Sequence, residues 1–417
     1  RPMRPMRPMG PMRPLRPMGL MSLMSLIALL GCLCLTGCYR EPPLHLYWFT
    51  VEAEFPVIDI RLETYWDYKM SLGINYDWHS EWYYGWDDDD RRLFGELGYT
   101  EPSKFHVRRY FTGDIPLGPR IRRFEASVEG RHYRSEYDWG YWDILVWNNV
   151  ESLDADGIQS LIFNEPASPD EDITVTTGPT PNSARYHAPK YRNSFYEPEQ
   201  LFSGFSSGIE VNRDSIREPL YVYDEKERCW IRNLEMLLEP VTYIYLPQVI
   251  LHHNGGRISQ EYDGRKVLAP AILSGMAKTT SLNTGITGEE AVAISFNMRQ
   301  KYDADYKDGE KVDIIGGRLM TFGICRQNAN RVSRAEEVDK TDTCHHYLDV
   351  TLYFKMIDRD STFTFDVTDQ VRSRYKGGVI TVELDMDTVP DPPIEGGHGF
   401  NAIVKDFEDG GTWEFDM

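Results

Sequence analysis

The sequence predicts an all-β fold of the β-sandwich type, and three observations carry that prediction. Apolar and polar residues alternate along several stretches, Gly, Pro, Asn and Asp turns separate those stretches, and helical periodicity is scarce. A strand with one face on a core and one in water repeats its apolar residues at every second position.

The stretch "HYLDVTLYFKM" places Leu348, Val350, Leu352, Phe354 and Met356 on one face. "STFTFDV" does so with Phe363, Phe365 and Val367, and "VITVELDM" with Ile380, Val382, Leu384 and Met386. "VTYIYLPQVILHH" is richer in β-branched and aromatic residues, as a well-covered strand is. Pro247 within it offers no backbone N–H, which implies an edge or a bulge. "GFNAIVKDF" (399–407) carries apolar residues on both faces and is expected to pair within its own sheet. "TWEFDM" (412–417) is the weaker candidate for exchange with a neighbour.

Residues 1–37 read as a signal peptide: a basic Arg-Pro-Met repeat with five arginines and no acid, then an uncharged run from Leu20 to Leu35. That run is shorter than the roughly 20 apolar residues that span a bilayer. It ends on Leu35-Thr36-Gly37-Cys38, which resembles the bacterial lipobox. The resemblance implies cleavage between Gly37 and Cys38, acyl chains such as palmitate on Cys38, and a lipidated tether over 38–43. Several acyl chains on one protein make release from a membrane slow. Met12 or Met18 would open a leader of more ordinary length.

The chain from Cys38 onward has 380 residues, enough for two or three domains with their own cores. Its balance is 40 basic against 65 acidic residues. Such a surface repels nucleic acid, whose phosphates need cations, and suits solubility in water beyond a membrane. No second long apolar run follows the leader, so the lipid is expected to be the membrane attachment. Cys229, Cys325 and Cys344 remain beside Cys38; three cysteines cannot all pair within the chain. Cys325 and Cys344 flank a polar stretch and are compatible with a bridge, because export permits disulfides; three thiols in or near strands are the plainer reading.

Residues 165–198 are rich in Pro, Ser, Thr and Asn and read as a linker or long loop. They divide an aromatic- and acid-rich N-terminal sandwich, 44–164, from a C-terminal sandwich, 199–417.

The candidate chemistry is sparse. The run Asp87 to Asp90 offers oxygen ligands for Ca²⁺, but consecutive residues of a strand point to opposite faces, so a solvated acidic loop is expected. Asp303, Asp305, Asp308 and Gly309 miss the calcium-loop spacing by one residue and read as a hairpin turn. The pairs His252-His253 and His345-His346 each offer at most one inward ligand from a strand, so no metal is expected. No Gly-x-Ser-x-Gly elbow, Walker loop or dinucleotide fingerprint appears, and neither enzymatic activity nor a cofactor is expected. Trp66, Trp78, Trp82, Trp86, Trp139, Trp142 and Trp147 crowd the first half, and "DWHSEWYYGWDDDD" alternates poorly. Aromatics also fill sandwich cores, and most of these rings are expected there; Trp78, Trp82 and Trp86 of this stretch are the candidate contact surface.

Several strings together resemble a known group. "YDWGYWDILVWNN" (137–149) is similar to a strand-and-turn pattern of fimbrillin-like domains, and "EPEQLFSGF" (197–205) to the segment that introduces their second domain. "LEPVTYIYLPQVIL", "LSGMAKTTSLNTG" (273–285) and "GGHGFNAIVKDFEDG" (396–410) are similar to the core and closing strand of that domain. The chain from Cys38 onward thus resembles a Bacteroidales lipoprotein family related to the fimbrillin and fimbrial-anchor superfamily. The resemblance implies two tandem transthyretin-like β-sandwiches, attachment to the cell outer membrane, and fimbrial subunits as partners through β-strand addition. It implies no catalytic residues. The competing expectation is a surface lipoprotein that binds glycans through first-domain aromatics.

Overall fold

The computed structural model describes residues 57–64, 77–150, 160–180, 194–212, 216, 220–262, 265–325, 344–392, 401–404 and 413–416. The chain is all-β. In chain order its first strands are β1 (Val57–Thr64), β2 (Lys104–Gly113), β3 (Arg122–Glu129), β4 (His132–Glu136), β5 (Gly140–Asn148), β6 (Leu161–Asn164), β7 (Thr174–Thr177), β8 (Phe202–Val211), β9 (Tyr221–Asp224) and β10 (Cys229–Pro240). There follow β11 (Tyr243–His252), β12 (Glu261–Tyr262), β13 (Arg265–Lys266), β14 (Ala269–Ala277), β15 (Thr279–Ser281), β16 (Ala291–Asp305), β17 (Lys311–Gly316) and β18 (Leu319–Thr321). The last are β19 (Tyr347–Phe354), β20 (Arg359–Asp366), β21 (Gly378–Asp385), β22 (Asn401–Val404) and β23 (Trp413–Asp416). Two short helices, α1 (Asp88–Phe94) and α2 (Thr368–Ser373), interrupt them.

The first sheet runs β3-β2-β5-β8-β10-β1-β4, with β9 also on β10. β8 and β10 share only the pairs Ser203↔Glu239 and Phe202↔Pro240. The sheet therefore folds there into two layers. Val107, Trp142, Ile144 and Phe202 from one layer meet Ile58, Met236 and Leu238 from the other in one core. β5 is buried on both faces: Leu145 and Trp147 enter a second cluster with Leu161, Ile173, Val175, Ala277 and Phe322. The small sheet β15-β7-β6 contributes part of that second cover. Ile173 and Val175 lie within the stretch expected to be a linker, and both are buried. β8 and β10, expected with the C-terminal sandwich, pair in this first sheet.

The second sheet runs β18-β11-β17-β16-β14-β19-β20-β22-β23, with β21 parallel to β11. The fifteen-residue β16 pairs with β14 through Met298 and with β17 from Arg299 onward, and so passes from one layer to the other. Tyr245, Val249, Ile294, Phe296, Leu348, Val350, Phe363 and Val382 belong to the shared core. The alternating strands of the sequence are β19, β20 and β21, with their predicted faces inward. Met356 departs from its series: β19 ends at Phe354, and Met356 lies exposed in the turn to β20. Pro247 sits within a strand paired on both sides, where an edge or a bulge is expected. It faces the break between β17 and β18, where a missing N–H breaks no regular ladder, and its carbonyl still accepts from Gly317 N at 3.1 Å.

Candidate functional site

Addition of a partner strand needs a place where one strand can be replaced without unravelling the rest, or an open edge. β1 holds the first kind of place. Its sequence "VIDIRLET" alternates from Ile58 to Glu63, a signal that marks it as a strand. It pairs parallel with β10 from Val57↔Ile231 to Thr64↔Leu238, and antiparallel with β4 from Val57↔Glu136 to Arg61↔His132. Ile58 is fully buried in the first core. Among the described ladders β4 pairs with β1 alone, so β1 is the bridge between β4 and the rest of the sheet. Removing it breaks two ladders and uncovers the core at Ile58; another strand in the same place restores both.

At the far end of the second sheet, β22 pairs parallel with β20 from Thr362↔Asn401 to Phe365↔Val404. β23 pairs antiparallel with β22, and no described strand covers its outer edge. Trp413–Asp416, the described part of the exchange candidate, thus lie in their own sheet. Two other edges are guarded. Beside β21, the Gln370 amide copies a neighbouring strand: its Nε2 donates to Thr381 O at 2.8 Å and its Oε1 accepts from Thr381 N at 2.9 Å. β3 carries Arg122, Arg123, Glu125 and Glu129, charges that discourage edge pairing.

The tryptophans named as a contact surface lie elsewhere than expected. Residues 77–99 form a strap over the outer face of β11, β17 and β21. Trp78, Trp82 and Tyr84 are buried there with Ile244, Leu246, Ile250, Ile314 and Val379. Trp86 is half-buried and donates from Nε1 to Gly95 O at 3.2 Å. Rings spent on covering a sheet offer no platform to a sugar, so Trp78 and Trp82 do not form the exposed surface expected of them. The strap also explains why every residue of β11 but the last is buried: its two faces enter two different clusters.

Polar clamps fix the strap. The buried Gln248 accepts from Tyr83 N and Tyr84 N at 3.0 and 3.1 Å, and donates to Glu81 O at 2.7 Å. Gly316 gives the Tyr84 ring its room: a Cβ there would lie 2.3 Å from the ring. The acidic run, expected to be a solvated loop, is the start of α1. Asp87 caps it, accepting from Asp89 N and Asp90 N at 2.9 Å each, while Asp90 Oδ2 accepts from Asp87 N at 2.9 Å. Asp90 is fully buried and meets Arg299 at 2.7 Å and Lys301 at 2.7 Å. The Tyr84 hydroxyl donates to the same carboxylate at 2.6 Å; burial, then this bond, push the Tyr84 pKa far up. The acid-x-x-acid capping spacing was the sequence signal for this helix.

The remaining residues of interest have structural partners. Asp303 and Asp305 end β16, and Asp308 and Gly309 form the turn into β17. His252 contacts Glu310 at 2.9 Å and Glu383 at 3.2 Å, while His253 turns to Asp385 at 3.0 Å, as adjacent strand residues diverge. The hydrogen bond to Asp385 raises the His253 pKa. Among the described residues, His253, Asp385 and Asp387 are the group with metal-like spacing, and all three are exposed. His346 is buried and donates from its backbone N to Thr368 Oγ1 at 2.9 Å. Cys325 is buried and Cys344 half-buried against one apolar cluster. Gly37, Cys38 and the rest of the expected leader and tether lie outside the described residues. Among the described residues no helix is long and apolar enough to cross a membrane.

No protein-family model matches the chain, and no curated protein matches it. Several solved structures do. A candidate adhesin of Bacteroides ovatus is 14% identical with a TM-score of 0.46, over 85% of this chain and 98% of that one. The fimbrial anchor protein Mfa2 of Porphyromonas gingivalis is 9% identical with a TM-score of 0.36, over 86% and 95%. The tip fimbrial protein Mfa3 of the same organism is 9% identical with a TM-score of 0.27, over 76% and 93%.

Proposed function

We propose that this protein is a cell-surface fimbrial anchor or assembly subunit, held at the outer membrane by lipid on Cys38, that joins its partners by β-strand addition. The role is one of binding rather than catalysis. The observation that carries the reading is the position of β1: a strand one place from the sheet edge, paired on both sides, whose replacement leaves the ladders among the other described strands standing. A partner's extended segment in that place gains backbone hydrogen bonds to β10 and β4 and buries an apolar side chain where Ile58 now sits. The resemblance of the sequence strings to fimbrillin-like domains and the lipobox spacing at Cys38 support the same reading.

A photo-activated cross-linker at Asn233 in β10 or Arg134 in β4 tests it in the producing cells. Both residues flank β1 in its two ladders. The expected product is an adduct with a fimbrial subunit in the membrane fraction. Cross-links confined to the chain's own β1 segment would refute strand addition at this place.

A further inference from the structure

A cleft of about 480 Å³ opens on the first sheet, lined by Asp114, Trp139, Gly140, Tyr141, Glu210 and Asn212, with Val211 at its base. We propose that this cleft is a binding site for a neutral oligosaccharide. The inference is independent of strand addition, since no residue of β1, β4 or β10 lines the cleft.

Sugar recognition needs an aromatic surface for the C–H face of the ring and fixed acceptors for its hydroxyls. Trp139 and Tyr141 are both half-buried, Trp139 with part of its side chain packed against the first core. Gly140 between them is bare: at φ +131°, an added Cβ would lie 2.7 Å from Gly113 O and from the Phe111 ring. The chain can therefore carry no side chain there.

The acceptors are preorganised. Glu210 stands opposite Tyr141 across the β5–β8 ladder. Glu210 Oε1 accepts from Asn212 Nδ2 at 3.1 Å. Its backbone carbonyl is pinned by the Tyr221 hydroxyl at 3.2 Å and by Arg232 Nη1 at 3.1 Å. Register shifts lie on both sides of Tyr141: between Phe111 and Gly113 on β2, and between Trp142 and Ile144 on β5. Such irregularities re-aim side chains beside binding sites. A site on strands with fixed partners holds its geometry better than one on loops.

The charge of the lining selects the class of sugar. Asp114 and Glu210 are exposed carboxylates, and no Lys or Arg lines the cleft. Sialic acids and uronates are repelled, whereas neutral sugars donate hydroxyl protons to both carboxylates.

The test uses the whole protein from Cys38 onward, against an array of neutral gluco-, manno-, galacto- and xylo-oligosaccharides, with sialylated and uronate-bearing glycans as controls. Binding to a neutral member is expected, with quenching of tryptophan fluorescence. Trp139→Ala should weaken it at least about tenfold, which is about 1.4 kcal/mol. Glu210→Gln, at an exposed position, should keep the fold and also weaken binding. Failure of every neutral oligosaccharide to bind, or equal binding by both variants and the wild type, would overturn the assignment; so would a preference for the acidic glycans.

Discussion

Arg299 donates to the fully buried carboxylate of Asp90 at 2.7 Å, across 209 residues of sequence. Lys301 reaches the other oxygen of the same carboxylate at 2.7 Å. The pair joins the strap to β16 and holds Trp78, Trp82 and Tyr84 over the second sheet. A buried charge is tolerable when ion pairs and hydrogen bonds saturate it, and this one has both.

Asp90→Ala leaves two cations beside an empty place. The expected loss is about 3–5 kcal/mol of stability, the range for breaking one side of a buried pair. Urea denaturation measures it, with Asp88→Ala as the control. Asp88 is on the same helix with its side chain 92% exposed, and its loss should stay within about 0.5 kcal/mol.

Gly316→Ala should lift the strap without touching a charge. The added methyl collides with the Tyr84 ring, and such overpacking costs about 1–3 kcal/mol. The expected readout is red-shifted tryptophan emission with greater acrylamide quenching. Unchanged emission would show that Trp78 and Trp82 do not depend on that close approach.

Acid should weaken the same clamp. Burial raises the Asp87 pKa, but the Asp90 backbone amide, Arg299 and Lys301 outweigh it and hold the carboxylate well below the usual range. A depressed folded pKa gives stability that is present above the unfolded value of about 3.9 and is lost as pH falls toward the folded one. Asp87 is 46% exposed, so screening keeps the effect small. Unfolding midpoints from pH 7 to pH 2 should show a shallower acid limb in Asp87→Asn than in wild type, and no difference between them in pH-dependence above about pH 5.

Cys38→Ser tests the proposed anchor. The variant should accumulate as uncut precursor or leave the membrane fraction, as seen by fractionation and intact mass. An unmodified N-terminus elsewhere in the membrane-bound wild type would exclude lipid on Cys38.

The fold was legible where a strand has one wet face. Leu348, Val350 and Leu352 announce β19 because alternation is a local property of the chain. "DITVTTG" carried the same signal at Ile173 and Val175, but the Pro- and Ser-rich residues around it masked it. The strap was not legible, because four consecutive aspartates read as solvated until Arg299 and Lys301 are brought to them by the fold. Trp78 and Trp82 follow the same logic: their burial depends on β11, more than 160 residues away in sequence. The cleft at Tyr141 was hidden for a further reason. Its acceptor Glu210 faces it only through the β5–β8 register, which no local pattern states.

The central claim is that the place of β1 accepts a strand from outside the chain. A disulfide between Asp59→Cys and Asn233→Cys, paired across the β1–β10 ladder, would lock β1 in place. Ladder neighbours lie within the roughly 4.4–6.8 Å between Cα atoms that a disulfide requires. The measurement is uptake of a fluorescent peptide of residues 55–66 by the unlocked and locked proteins. The account predicts slow uptake by the wild type, none by the oxidised variant, and recovery on reduction. No uptake by the wild type, or equal uptake by the locked form, would contradict it.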